Sequence, residues 1–344
     1  MEQHISPEIS TENKKMTTIR LSTEIVVVAL LTGLMVVAGA IALPAQGQVA
    51  HNTWTAGTAM PKAVTYGAAA ALKANVYVVG GNDAPGHTAG GIIAYVQIYD
   101  PLTQTWSMGV PYPTPIEAAS AAVVKGVLYV FGGSTDASTP TNAVWAFSTK
   151  KKTWTAMAPM PTARWATQAI VQKKTNIIFV IGGDVNTSGN GNTASVESYN
   201  PATNTWTKEA PMLVAKGQSA AGLIGTKIVV ADGFTNGGGT TGDTEVYDPT
   251  ANTWTTVAPN AAGNRGASCS GAIGTKLIDV GGANAPNITE SFLLSKNKWT
   301  TTLAAIPQPI YFPASAVYKG QLYCMGGWPS WLGTPQDNVQ IYKP

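Results

Sequence analysis

Glu117, Arg164 and Arg265 are the residues of this chain best suited to chemistry. A carboxylate can move a proton, and two guanidinium forks can grip carboxylate or hydroxyl oxygens, provided that all three meet around one opening. Near them in the same pattern fall Tyr66, Trp165, Gln218, Tyr311 and Phe312, which add flat faces and an amide. Such a ring suits a neutral or anionic sugar or a short acidic peptide; the alternative is a polar rim around a solvent-filled channel that binds nothing specific. Metal chemistry is poorly provided for. His4, His51 and His87 are the only histidines, too few for a copper or zinc site, and no phosphate loop, nucleophile elbow or metalloprotease motif is present, so no cofactor is expected.

The elements that must position these residues are repeats. Trp54, Trp106, Trp154, Trp206, Trp254 and Trp299 are spaced 52, 48, 52, 48 and 45 residues apart. An apolar strand ends at a glycine pair 26 to 28 residues after each tryptophan, at Gly80, Gly132, Gly182, Gly281 and Gly326, with Asp232-Gly233 in the fourth place. Tyr99, Phe147, Tyr199, Tyr247 and Phe292 each stand seven residues before the next tryptophan. Asp100-Pro101, Asn200-Pro201 and Asp248-Pro249 begin turns between the aromatic strand and the tryptophan strand. A period near 50 with these marks predicts one four-stranded sheet per repeat in an all-β, six-bladed β-propeller.

The glycine pair, the Tyr-Asp-Pro-like turn and the phased tryptophan together resemble the kelch repeat over residues 51–344. The resemblance implies closure of the circle by strands from both chain ends, here the strand around Trp54 and the strand Val339–Tyr342. It also implies a ligand on the face formed by the loops after the glycine pairs. Those loops offer Asn82, Asp83, His87, Asp136, Asp184, Asn186, Phe234, Asn236, Asn284, Trp328 and Trp331. Trp328 and Trp331 stand outside the repeating tryptophan position and read as a binding platform or lid, with packing onto the neighbouring loop as the alternative. The expected ligand-binding set is therefore Tyr66, His87, Trp165, Gln218, Tyr311, Trp328 and Trp331, for a glycan or protein ligand. Exported kelch propellers of this length also include N-acetylneuraminate epimerases; that resemblance implies sugar mutarotation with Glu117 as acceptor and Arg164 or Arg265 as carboxylate clamp. Glu197, Glu209, Glu245 and Glu290 read as solvated acids of outer strands or turns. Asp279 stands where other repeats carry Val78, Val130, Val180 and Val230, and reads as a buried, structurally bonded acid.

Composition sets the remaining bounds. The chain has 344 residues, of which 11% are charged, and a net charge of +3 without a basic cluster, which argues against nucleic acid as a partner. Ahead of the repeats, Lys14, Lys15 and Arg20 precede the apolar run Ile25–Leu43, an export signal cleaved after Gly47 or a retained anchor. The division is thus 1–47 for the leader and 48–344 for the propeller, exported to the periplasm, the medium or the cell surface. Cys269 and Cys324 are expected as two separate buried thiols rather than a bridge.

Overall fold

A computed structural model describes residues 51–186 and 190–344; the apolar run Ile25–Leu43 and the boundary at 47 lie outside the described residues. Six sheets of four antiparallel strands follow one another around an axis. Blade one shows the pattern: Ala68–Leu72 innermost, then Asn75–Val79, Val96–Asp100 and, outermost, Thr105–Met108. Blade six takes three strands from the C-terminal end, Ala314–Tyr318, Gln321–Met325 and Val339–Lys343, and its outer strand, Thr53–Ala56, from the other end of the described chain. Trp54 pairs with Tyr342 in that seam. The innermost strands of successive blades touch in a closed circle, the first against the sixth included. Among the described residues no helix is long and apolar enough to cross a membrane.

The repeat marks each have a mechanical role. Every phased tryptophan packs on the aromatic of the neighbouring strand, with ring centroids 4.9 to 5.3 Å apart. Its indole N–H donates to a carbonyl of the crossover that leads into the same blade, as Trp106 does to Thr58 and Trp254 to Ala210. A Phe at that place would fill the wedge but lose the bond, so the residue type follows from both demands. The first glycine of each pair has a different reason. A Cβ on Gly132 would stand 2.2 Å from the Arg164 carbonyl oxygen of the next crossover, and one on Gly80 would stand 2.1 Å from that of Ile116. Both glycines also sit at positive φ, where a side chain is strained.

The crossovers meet at the axis in a belt. Ala118 N–H donates to Tyr66 O, Ala166 to Ala118, Gln218 to Ala166, Ala267 to Gln218, Phe312 to Ala267, and Tyr66 to Phe312, at 2.7 to 2.9 Å. All six residues hold φ between 50° and 60°, although none is glycine. That conformation is uphill for each residue by about 1 kcal/mol or more, and the closed set of bonds holds it. Below the belt, small residues such as Ala70, Ala121, Ala169 and Gly222 line a central channel of about 460 Å³.

The expectation of two separate thiols is corrected: Cys269 and Cys324 form a disulfide. Cys269 starts the innermost strand of blade five, Cys324 lies on the second strand of blade six, and their Cα atoms are 5.7 Å apart. Sequence spacing could not reveal this, because the two positions come together only where one wedge-shaped blade packs on the next. The bridge joins residues 55 apart in sequence. Replacing both cysteines by serine should therefore lower unfolding free energy by about 2–4 kcal/mol, read from urea denaturation. Reductant should shift the parent protein and leave the double variant where it is.

Candidate functional site

Above the belt, the loops after the glycine pairs surround a second cavity of about 240 Å³. Tyr66, Trp165, Phe234, Phe312 and Trp331 supply its aromatic walls, and Asp184, Asn192, Gln218 and Thr235 its polar groups. The rings form one connected surface: Tyr66 lies 4.3 Å from Phe312, Phe234 is parallel to Phe312 at 6.3 Å, and Trp331 leans on both Phe312 and Phe234 at 5.5 and 5.9 Å. Trp331 is 52% exposed, an unusual position for an indole unless it meets something. Burial, and after it the charge of Glu117, keeps the Tyr66 phenol protonated well above its usual range. Burial also raises the Asp184 carboxyl, against the backbone amides of Asn186 and Gly191 that pull it down.

Four of the seven expected ligand-binding residues, Tyr66, Trp165, Gln218 and Trp331, line this cavity. The other three stand behind it. Trp328 is 1% exposed and packs edge-on against Tyr66 and Phe312, which makes it a support beneath the site rather than a surface of it. Tyr311 backs Trp331 edge-on. His87 packs tilted on Tyr66 at 4.6 Å and stacks on Trp165 at 6.1 Å, and its Nε2 lies 2.9 Å from Glu117 Oε1. Asn192 and Thr235 had no sequence signal, since polar residues in long loops carry no phase.

The three candidate catalytic residues do not meet. Glu117 is fully buried, and its second oxygen accepts from Asn82 Nδ2 at 2.9 Å. Arg164 is also buried and binds Glu197 at 2.7 Å, with further bonds to the carbonyls of Gly182 and Ser195. Lys216 reaches Glu245 at 3.1 Å. Arg265 sits among Asp232, Asp279 and Glu290, at 3.3 Å from the first and 2.6 Å from the second, and hydrogen-bonded to the third. The arginines thus point into the blades and fasten the crossovers. Among the described residues Glu117 is bonded to Asn82 and His87 and the two arginines to other acids, so the convergence that mutarotation needs is not built here.

Reading Glu197, Glu245 and Glu290 as solvated acids is corrected by the same contacts. Each occupies the second place of its blade's third strand, directly under the incoming crossover. The matching crossover residue is a cation in blades three to five and aliphatic, Val64 or Ile310, where that place holds Gln97 or Gln340. Gln97 and Gln340 bind crossover backbone instead, at Lys62 and Gln308. Glu209, partly exposed, accepts from Ser198 Oγ at 2.7 Å. Asp279 is buried beside Arg265, as its place among the valines suggested.

Asp232 can replace glycine because its neighbours changed with it. The glycines at that place in blades two and three face Met160 and Met212; Asp232 faces Asn260, whose Nδ2 donates to both carboxylate oxygens at 2.8 and 2.7 Å. Oxygens of Asp232, Asp279 and Glu290 lie within 4.8 Å of one another, a spacing that could hold a metal ion, but the Arg265 guanidinium already bonds there. Three acids against one cation is an excess. Burial, followed by the charge of Asp279, pushes Asp232 well above the usual carboxylate range, and burial lifts Glu290 to about 7 against the pull of Arg265. A raised folded-state value means stability present below the unfolded value near 4.3 and lost as the pH climbs to about 7. Glu290→Gln should therefore gain on the parent by about 3 kcal/mol between pH 4.5 and 7.5, measured as the difference in urea unfolding at each pH. Arg265→Met, which strands buried acids, should cost about 3–5 kcal/mol at neutral pH.

Comparison with known proteins agrees with this architecture. The KLHDC2/KLHL20/DRC7 Kelch-repeats domain family matches residues 118–327, and the Kelch motif matches residues 64–111. Kelch-like protein 35 of Mus musculus is 27% identical over 47% of this chain, and Kelch-like protein 23 of Mus musculus is 27% identical over 73%. Kelch-like protein terF of Aspergillus terreus is 27% identical over 53%. The chain spans 25%, 44% and 41% of the length of these three relatives in the same order, less than half in each case. Among solved structures, that of YjhT superposes with a TM-score of 0.69 over 83% of this chain and 96% of its own at 17% identity, a likeness of fold. With a family match over more than half its length and six blades in phase, the chain belongs to the kelch-repeat family.

Proposed function

We propose that this propeller is an exported binding module that takes a glycan or protein ligand in the cavity above the belt and performs no chemistry on it. One observation carries the reading: five aromatic side chains, one of them the half-exposed Trp331 indole, surround a 240 Å³ recess on the loop face, with the polar residues Asp184, Asn192, Gln218 and Thr235 among its lining. Aromatic walls with a few placed polar groups are the usual make-up of a ligand recess. Kelch propellers are in general protein-binding modules, and the relatives compared above are kelch-like proteins. Export is supported by two independent features, the apolar run behind basic residues and the disulfide, since such bridges persist in oxidising compartments.

Trp331 tests this reading well, because an exposed side chain can be cut back without opening the core. On glycan and peptide arrays probed with the purified full-length chain, Trp331→Ala should lose at least about tenfold in affinity for whatever the parent selects, with an unchanged melting temperature. Equal binding by parent and variant would remove the cavity from consideration as the binding surface.

A further inference from the structure

We propose, resting on that reading of the cavity, that its ligand presents an organic cation, an alkylammonium or guanidinium group, which the aromatic walls and Asp184 receive together. The sequence suggested the opposite sign, because two arginines were counted at the mouth. Their guanidinium groups are buried in ion pairs with Glu197 and with Asp232, Asp279 and Glu290, so neither presents a charge to the recess. Among the described residues that line it there is one carboxylate, Asp184, and neither lysine nor arginine.

Aromatic faces attract cations through the negative centre of the ring, most strongly when water is excluded. Tyr66, Trp165, Phe234, Phe312 and Trp331 offer such faces around a space of about 240 Å³, large enough for a side-chain head group. Asp184 is 6% exposed, and burial raises its carboxyl even though the Asn186 and Gly191 amides pull it down. A cation beside it would bring it back down.

The surrounding field has the same sign. The loops after the glycine pairs carry Asp83, Asp136, Asp184, Asp243 and Asp337 and no lysine or arginine. Asp136 is fixed in its charged form, lowered to about 2 by the backbone amides of Ser138 and Thr139. Of the crossover cations on this side, Arg164, Lys216 and Arg265 are fully buried, while Lys62 is exposed and leans over Tyr95 at 5.8 Å. At the opposite end of the blades, Lys73, Lys125, Lys173 and Lys319 stand in the turns between the first two strands, and Lys227 and Lys276 open the second strand directly after the turn. A chain of net charge +3 is thus acid on the side of the cavity, where a cation would be drawn in.

The test uses the full-length chain in mild detergent, followed by tryptophan fluorescence and calorimetry. Tetramethylammonium represents a free cation and N-acetyl-arginine methylamide a peptide-borne one. Their neutral counterparts are 3,3-dimethylbutanol and N-acetyl-citrulline methylamide, and N-acetylneuraminate is the anion. At least one cation should bind about tenfold tighter than its neutral counterpart, and which of the two binds tells a free ligand from a peptide. Asp184→Asn, which keeps the acceptor for the Asn186 amide, should reduce that preference to near parity, and Trp331→Ala should weaken both partners of the pair. Equal binding of cation and neutral counterpart, an unaltered preference in Asp184→Asn, or no binding by either cation would overturn the proposal. If a neutral or anionic sugar binds instead and depends on Trp331, the cation is wrong and the binding face stands. If nothing on the arrays or among these probes responds to Trp331→Ala, both fail.

Discussion

The close approach of each blade's glycine pair to the next blade's crossover is the contact on which this molecule depends. At the first glycine of the five pairs a carbonyl oxygen stands 2.1 to 2.9 Å from where a Cβ would be, so the backbone of one blade docks on the backbone of the next. That docking brings six crossovers to a common axis, where their amides close a ring of hydrogen bonds. Everything functional follows from the ring. It fixes the roots of the loops, separates the small-residue channel from the aromatic recess, and lends Tyr66, Gln218 and Phe312 to both.

The single exception to the glycine rule explains most of the buried charge in blade five. Asp232 brings a carboxylate into a place made for a hydrogen atom, and Asn260, Arg265 and Asp279 all face it. None of these would be tolerable alone, since a lone buried charge is far more destabilising than a paired one. As a set they form a local polar knot with more acid than base. Blades three and four hold a simpler version, one cation on one glutamate, and blades one and six an uncharged one built on glutamine.

The architecture was legible in the sequence because its marks repeat at a fixed phase, and a repeated steric demand leaves a repeated residue. Six tryptophans and five glycine pairs suffice to count blades. The site was half legible for the complementary reason. Tyr66, Trp165 and Gln218 are near the phased positions and could be counted back to, whereas Asn192 and Thr235 belong to loops of unequal length. Direction was the larger error. Counting places a residue at the mouth without saying whether its side chain turns outward, and Arg164 and Arg265 turn inward to partners 33 and 25 residues further on. The correlation of cation with glutamate across the repeats would have shown this, had crossover and third strand been aligned together. The disulfide left no such trace, as a pair of cysteines that occurs once has nothing to correlate with.

The position of that disulfide bears on how the circle can come apart. A propeller closed by hydrogen bonds has one weak seam, here between Thr53–Ala56 and Val339–Lys343, and peeling from the C-terminal end is the natural route to opening it. Cys324 is tied back to Cys269 in the preceding blade, so a tear that begins at Pro344 runs through the last strand and then meets a covalent stop. The seam can gape without the ring unravelling, and a torn protein keeps its two final blades in register to close again.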